Sequence, residues 1–233
     1  MSSTDRSEAL DIGLPVPIEI RPMRTARRLR LRFDEATGTL KLTCPARTSR
    51  RAALAWALDQ SDWIEAQLER AAPAEPFVDG AWIPIEGVNR RLHWSAAHSR
   101  TPALVDGELR CGGPQDGVSR RIERFLKALA LARMSDDVAE FAAKADVPVR
   151  SVAIGDAASR WGSCSSDGRI RLSWRLIFAP PNVRRYVVAH EVAHLKHMNH
   201  GKRFWGVVNQ LTPHAEAAIP WLRAEGFRLL RIG

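Results

Sequence analysis

A chain of 233 residues, 45% hydrophobic and 26% charged, can bury a sizeable core and has the balance of a water-soluble globular protein, which excludes a disordered or fibrous one. Thirty-five Lys and Arg against 26 Asp and Glu leave a net charge of +9, favouring anionic partners without choosing among nucleic acid, nucleotides and acidic surfaces. The cysteines (Cys44, Cys111, Cys164) are odd in number, far apart and form no C-x-x-C pair, which argues against a disulfide framework or an all-cysteine zinc site and for a reducing compartment.

Residues 1–15 are polar and read as a disordered tail. Met1 to Ile20 lacks a basic segment followed by an apolar run, and nowhere do 18 apolar residues run together. Neither signal peptide nor membrane span is expected, and the expected compartment is the cytoplasm. Arg28 to Phe33 and Leu40 to Cys44 each alternate, with turn chemistry from Asp34 to Gly38 between them. They predict a hairpin with one apolar and one very basic face. Thr48 can cap a helix from Ser49 to Ala71, with Leu54, Leu58, Ile64 and Leu68 at helical spacing. Ala72-Pro73-Ala74-Glu75-Pro76 breaks it, and short strands follow at 81–85, 89–94 and 103–110. Gly112-Gly113-Pro114 is a second break, dividing a β-rich part (16–114) from a C-terminal part (115–233).

A helix is predicted over 118–144, with Ile122, Phe125, Leu126, Leu129 and Met134 as its apolar stripe. Strands are predicted at 149–154 and 168–176, with a loop over 159–167 between them. Pro180 and Pro181 precede a helix from Asn182 to Asn199, and further helices span 202–211 and 214–225. The fold class is α+β.

The sharpest chemical feature is His190-Glu191-Val192-Ala193-His194 inside a helix. Residues four apart share a helix face, so both imidazoles can grip one ion while Glu191 stands beside it as a base toward water. Val187, Val188 and Ala189 make this helix apolar, and two histidines and a glutamate buried there are unfavourable unless paired or metal-bound. The competing reading is a solvated or hydrogen-bonded polar cluster. His200 lies beyond the expected helix end at Asn199, which tolerates the left-handed turn that would send the chain back, with Gly201 following. Three histidines leave a fourth position open, the catalytic zinc arrangement. His197, expected to remain on the helix, is the competing third ligand, and Glu216 and Glu225 are acidic candidates. Arg160, Tyr186, His197 and His214 are candidates to stabilise an oxyanion. Ser159-Arg160-Trp161-Gly162-Ser163-Cys164 precedes the strand 168–176, whose open edge could hold an extended peptide as an added strand. Trp161 is then a substrate-binding candidate or, in the plainer reading, a core residue at a turn. Cys164 reads as a packed side chain.

At these residues the sequence resembles the YgjP-like metallopeptidases, minimal zincins related to SprT-like proteins. The resemblance rests on Ser159-Arg160-Trp161-Gly162-Ser163-Cys164, His190-Glu191-x-x-His194 and Asn199-His200-x-x-x-Phe204-Trp205. It extends to the basic hairpin and to Asp62-Trp63-Ile64, and so spans most of the chain. It implies one Zn2+ per chain on His190, His194 and His200, Glu191 as general base, and a zincin-like core over 115–233. Metzincins share the histidine spacing, but His197 stands at their glycine and no methionine follows Met198. Phe204 and Trp205 read as packing residues behind His200.

The leading expectation is a zinc-dependent metallopeptidase acting on peptide or protein. One alternative keeps the metal and hydrolyses a phosphoanhydride, as a nucleotide pyrophosphatase. Another is a basic nucleic-acid-binding protein with a structural zinc. SprT-like relatives act on DNA-attached proteins, and Arg21, Arg24, Arg27, Arg28, Arg30 and Arg32 would be the phosphate footprint. Neither a zinc knuckle nor an aromatic ladder accompanies them.

Overall fold

The computed structural model describes residue 14 and residues 16–34, 37–71, 75–157 and 160–233. Apart from Leu14, the expected tail falls outside them, as do parts of the 34–38 turn and the 72–76 break. Strands β1 (Ile18–Met23), β2 (Arg30–Asp34) and β3 (Thr39–Pro45) form a sheet in the order β1-β3-β2. The predicted hairpin is present, β2 antiparallel to β3, and β1 adds a parallel strand on the other side. Alternation along β3 turns Leu40, Leu42 and Cys44 inward, where helices α1 (Arg50–Leu58) and α2 (Ser61–Ala71) cover them with Leu54, Ala57, Ile64 and Leu68. The single helix expected over 49–71 is thus two. Gln60 N–H bonds to the Ala57 carbonyl three residues back, which tightens the chain and re-aims the second helix. Ser49 rather than Thr48 caps α1, its hydroxyl accepting from Ala52 N–H at 3.2 Å.

A four-stranded sheet follows, in the order β4 (Trp82–Ile85), β5 (Val88–Trp94), β7 (Glu108–Cys111), β6 (Ala103–Val105). The strand expected over 103–110 is a hairpin, because Asp106 and Gly107 take φ of 50° and 82° and reverse the chain. Helix α3 (Val118–Ala145) runs close to its expected span and buries Ile122, Leu126 and Met134. The third sheet, β8 (Ser151–Gly155), β10 (Arg169–Ser173) and β9 (Gly162–Cys164), has β8 parallel and β9 antiparallel to β10. Two expectations change here. The loop over 159–167 contains β9, and the strand over 168–176 is central, ending at Ser173 in a 3-10 turn over Trp174–Phe178, so the edges of the sheet are β8 and β9.

Pro181 opens α4 (Pro181–His194), which packs against α3, β9, α5 (Lys202–Leu211) and α6 (Ala215–Leu229). Side chains from Phe77 to Leu229 make one apolar core and those from Leu14 to Leu68 another, with Leu230 packed against both. No helix among the described residues is long and apolar enough to cross a membrane.

Buried ions fix α4. Arg184, 5% exposed, donates from Nε to Asp137 of α3 and from Nη1 to Glu86 of the β4–β5 turn, both at 2.8 Å. Arg185 adds bonds of 2.7 Å to Asp137 and Glu140. Asp137→Ala leaves the Arg184 guanidinium dry with Glu86 as its remaining carboxylate, and is expected to lower the unfolding free energy by about 3 kcal/mol. Denaturant titration checks this. Replacing Arg184 by Met in the same variant should recover part of the loss, because no buried cation then remains.

Candidate metal centre

Ten residues of α4, from Val183 to Ala193, are buried, among them His190 and Glu191. His194 stands one turn beyond His190, and their Nε2 atoms lie 3.2 Å apart. The helix ends at His194 rather than Asn199: Leu195 N–H and Lys196 N–H bond three residues back, to Val192 and Ala193. The chain then folds over itself, Gly201 N–H bonding to the Asn199 carbonyl at 2.9 Å, and brings His200 Nε2 to 3.1 Å from His190 Nε2. One donor atom from each histidine lies within 4.8 Å of the others, the one His/Cys/Asp/Glu cluster among the described residues able to hold a metal.

Phe204, fully buried on α5, backs all three rings at centroid distances of 4.6–4.9 Å, and Trp205 stacks beside His200 at 6.2 Å. Both serve as the packing residues expected. His194 Nδ1 sits 3.2 Å from the His197 carbonyl. In the tautomer that donates this bond, His194 Nε2 keeps its lone pair for the cluster.

Burial pushes His190 well below its usual range, helped by His194 and His200. It also lowers His194, and it takes His200 to about 4 with contributions from His194 and from Arg51 on α1. All three imidazoles are therefore neutral at pH 7, the form in which histidine binds metal.

Glu191 lies 5% exposed, with Oε2 unpartnered, and burial pushes its carboxyl up to about 8 against the opposing pull of Arg160. Its space comes from β9. A Cβ on Gly162 would fall 2.5 Å from Glu191 Oε1 and 2.7 Å from Cγ. The two sequence motifs meet at this contact, and the glycine's part in it has no signal in the sequence.

The other candidates spread out. Trp161 is buried in the core with Nε1 unpartnered. Tyr186 is fully buried, its ring 6.5 Å from that of His190 and its hydroxyl unpartnered, and burial raises its pKa. His197 has left the helix, contrary to expectation, and supplies its carbonyl. His214 stands at the N-cap of α6, Glu216 lies exposed in its first turn, and Glu225 pairs with Arg228 at 2.9 Å. Burial and then the Glu191 and Asp167 charges push the Cys164 thiol up to about 11, so it is not a thiolate nucleophile at neutral pH. Ser159 lies outside the described residues. Arg21, Arg24, Arg27, Arg28, Arg30 and Arg32 are all exposed, Arg21 pairing with Glu19 and Arg32 with Asp34.

A family model described as YgjP-like, metallopeptidase domain, matches residues 27–225. No curated protein and no solved structure matches the chain.

Gly162→Ala is expected to lower the unfolding free energy by about 1–3 kcal/mol through overpacking. In a double-mutant cycle with Glu191→Ala most of that loss should vanish, since the Glu191 side chain is what the new methyl meets. A second expectation concerns pH. With its carboxyl raised from 4.5 to about 8, Glu191 gives the folded chain extra proton binding. That contribution is complete below pH 4.5 and lost as pH rises through about 8. Between roughly pH 6.5 and 8.5 metal-free wild type should lose about 2 kcal/mol of stability relative to metal-free Glu191→Gln, by chemical denaturation of both; the comparison cancels the three histidines, whose lowered proton affinity acts in the opposite sense.

Proposed function

This chain belongs to the YgjP-like metallopeptidase family, and we propose that it is a cytoplasmic zinc peptidase in which His190, His194 and His200 hold the metal and Glu191 is the general base. The observation that carries the reading is the convergence of three neutral imidazoles beside a buried, unpartnered carboxylate on an otherwise apolar helix. The donor set fits zinc. Imidazole nitrogens suit it, three of them leave a coordination position for a reactant, and the centre lacks the carboxylates that Mg2+ phosphoanhydride chemistry favours. When bound, zinc would polarise a peptide carbonyl and make water acidic enough to ionise near neutral pH.

Glu191 Oε2 would take the proton of the attacking water and return it to the leaving nitrogen. The dry setting that lifts Glu191 would be offset by a cation beside it, bringing its affinity for protons toward the range where one group can serve as base and then acid. Gly162 keeps the carboxylate against β9, the edge strand on the side of Glu191, where an extended peptide can pair as a fourth strand. Arg160, exposed and within electrostatic reach of Glu191, is the candidate to meet negative charge developing on the carbonyl oxygen.

Elemental analysis and hydrolysis of an unfolded protein test the reading together. Wild type should carry about one zinc per chain, and His200→Ala should lose it under mild chelation. Glu191→Gln should keep zinc and lose roughly 100-fold or more in turnover. Full turnover by zinc-loaded Glu191→Gln removes the general-base role, and wild type that takes up no zinc on reconstitution removes the catalytic reading.

A further inference from the structure

The third sheet has two faces. Ile170 and Leu172 of β10 turn toward the helices, and Gly162, paired with Leu172, turns the same way against Glu191. Arg171 and Ser173 point to the opposite face. There Ser163 of β9 stands opposite Arg171, and Ala153 and Gly155 of β8 lie beside Arg171 and Ser173. These neighbours are small, and they leave a cavity of about 270 Å³ lined by Arg160, Arg171, Ser163, Ser173, Gly155 and Asp156 among others. A Cβ on Gly155 would lie 3.3 Å from Arg171 Cδ, so the arginine stem lies across the glycine.

The charges in this cavity are unbalanced. Asp156 is held by Arg175, with bonds of 2.7 and 3.4 Å, which neutralises the one acid in the lining. Arg169 of β10 and Arg150, just before β8, share Asp167 at 3.0 and 3.1 Å. Arg160 and Arg171 make no ion pair among the described residues. Ser173 is 3% exposed, and its hydroxyl has no hydrogen-bond partner. An unpaired buried hydroxyl in the same lining as two arginines that make no ion pair among the described residues matches the donors that a carboxylate accepts.

The place of the cavity says what presents that carboxylate. Gly162 lines the cavity and also touches Glu191, so the two sites are separated by the thickness of one edge strand. A peptide paired along β9 would send alternate side chains to the two faces. We propose that the cavity between Arg160 and Arg171 is a specificity subsite for a carboxylate of the substrate, an acidic side chain or the chain's C-terminus, next to the residue facing Glu191. This inference rests on the peptidase reading.

Four short fluorescent peptides titrated onto zinc-loaded Glu191→Gln protein test it without turnover: one Glu or its matched Gln, each with a free or an amidated C-terminus. A carboxylate-bearing peptide should bind about tenfold more tightly than the neutral amidated one. Which arm carries the difference identifies the source. Arg171→Gln should erase the difference, and Ser173→Ala should reduce it. Equal binding of all four, no binding at millimolar concentration, or a preference that survives both Arg171→Gln and Arg160→Gln overturns the subsite. Displacement of all four alike by a single-stranded oligonucleotide overturns it in favour of phosphate. Treating the same peptides with zinc-loaded wild type separates the two readings. A carboxylate preference without cleavage keeps the subsite and removes the peptidase, and cleavage without preference does the reverse.

Discussion

Burying His190 and Glu191 strips both of water, and neither His190 Nδ1 nor Glu191 Oε2 gains a hydrogen bond in exchange. A desolvated carboxylate and a cluster of imidazole lone pairs are unfavourable in an apolar helix, and the surrounding structure has to hold them there. Much of the chain can be understood from that constraint. The Arg184–Asp137–Glu86 ions tie the helix to α3 and to the β4–β5 turn. Phe204 backs the three rings on their buried side. Gly162 gives the carboxylate the space that any other residue would occupy. A cation among the imidazoles would satisfy three lone pairs together, where hydrogen bonds between the rings can satisfy only some of them, so polar strain and the metal reading have one physical origin.

The parts legible in the sequence are those set by local periodicity. His190 and His194 are one turn apart by helix geometry alone, and the basic hairpin and α3 follow from alternation and a 3.6-residue stripe. Asp106-Gly107 was also readable, as a two-residue hairpin turn, but the apolar residues on both sides read as one strand. The end of α4 was not readable, since Leu195, Lys196 and His197 are all ordinary helix residues. Side-chain demands end that helix: His194 Nδ1 meets the His197 carbonyl, and His200 reaches back to His190. His200 therefore joins the cluster, though not through the left-handed turn expected at Asn199. β9 pairs locally with β10, but the contact of Gly162 with Glu191 and the outer-face cavity join segments that lie far apart along the chain, and no short window contains them.

Charge joins the N-terminal unit to the site. Arg51 of α1 and Arg160 before β9 come from different ends of the chain, yet one lowers the proton affinity of His200 and the other that of Glu191. Phe33 meets Phe227 at 5.8 Å, and Gly38 packs under the same ring, which fixes the first sheet against α6. The resulting positive field acts in two directions. It adds to the burial that keeps His200 free of protons, while it disfavours any second cation at long range. Ligation can prevail because lone-pair donation acts at bonding distance, whereas Arg51 is exposed and its field is screened by water and salt. The same field attracts negative charge. A neutral donor cluster with Arg51 and Arg160 within electrostatic reach can therefore accept a cation by short contacts while the arginines attract anions by long ones, without either interaction cancelling the other.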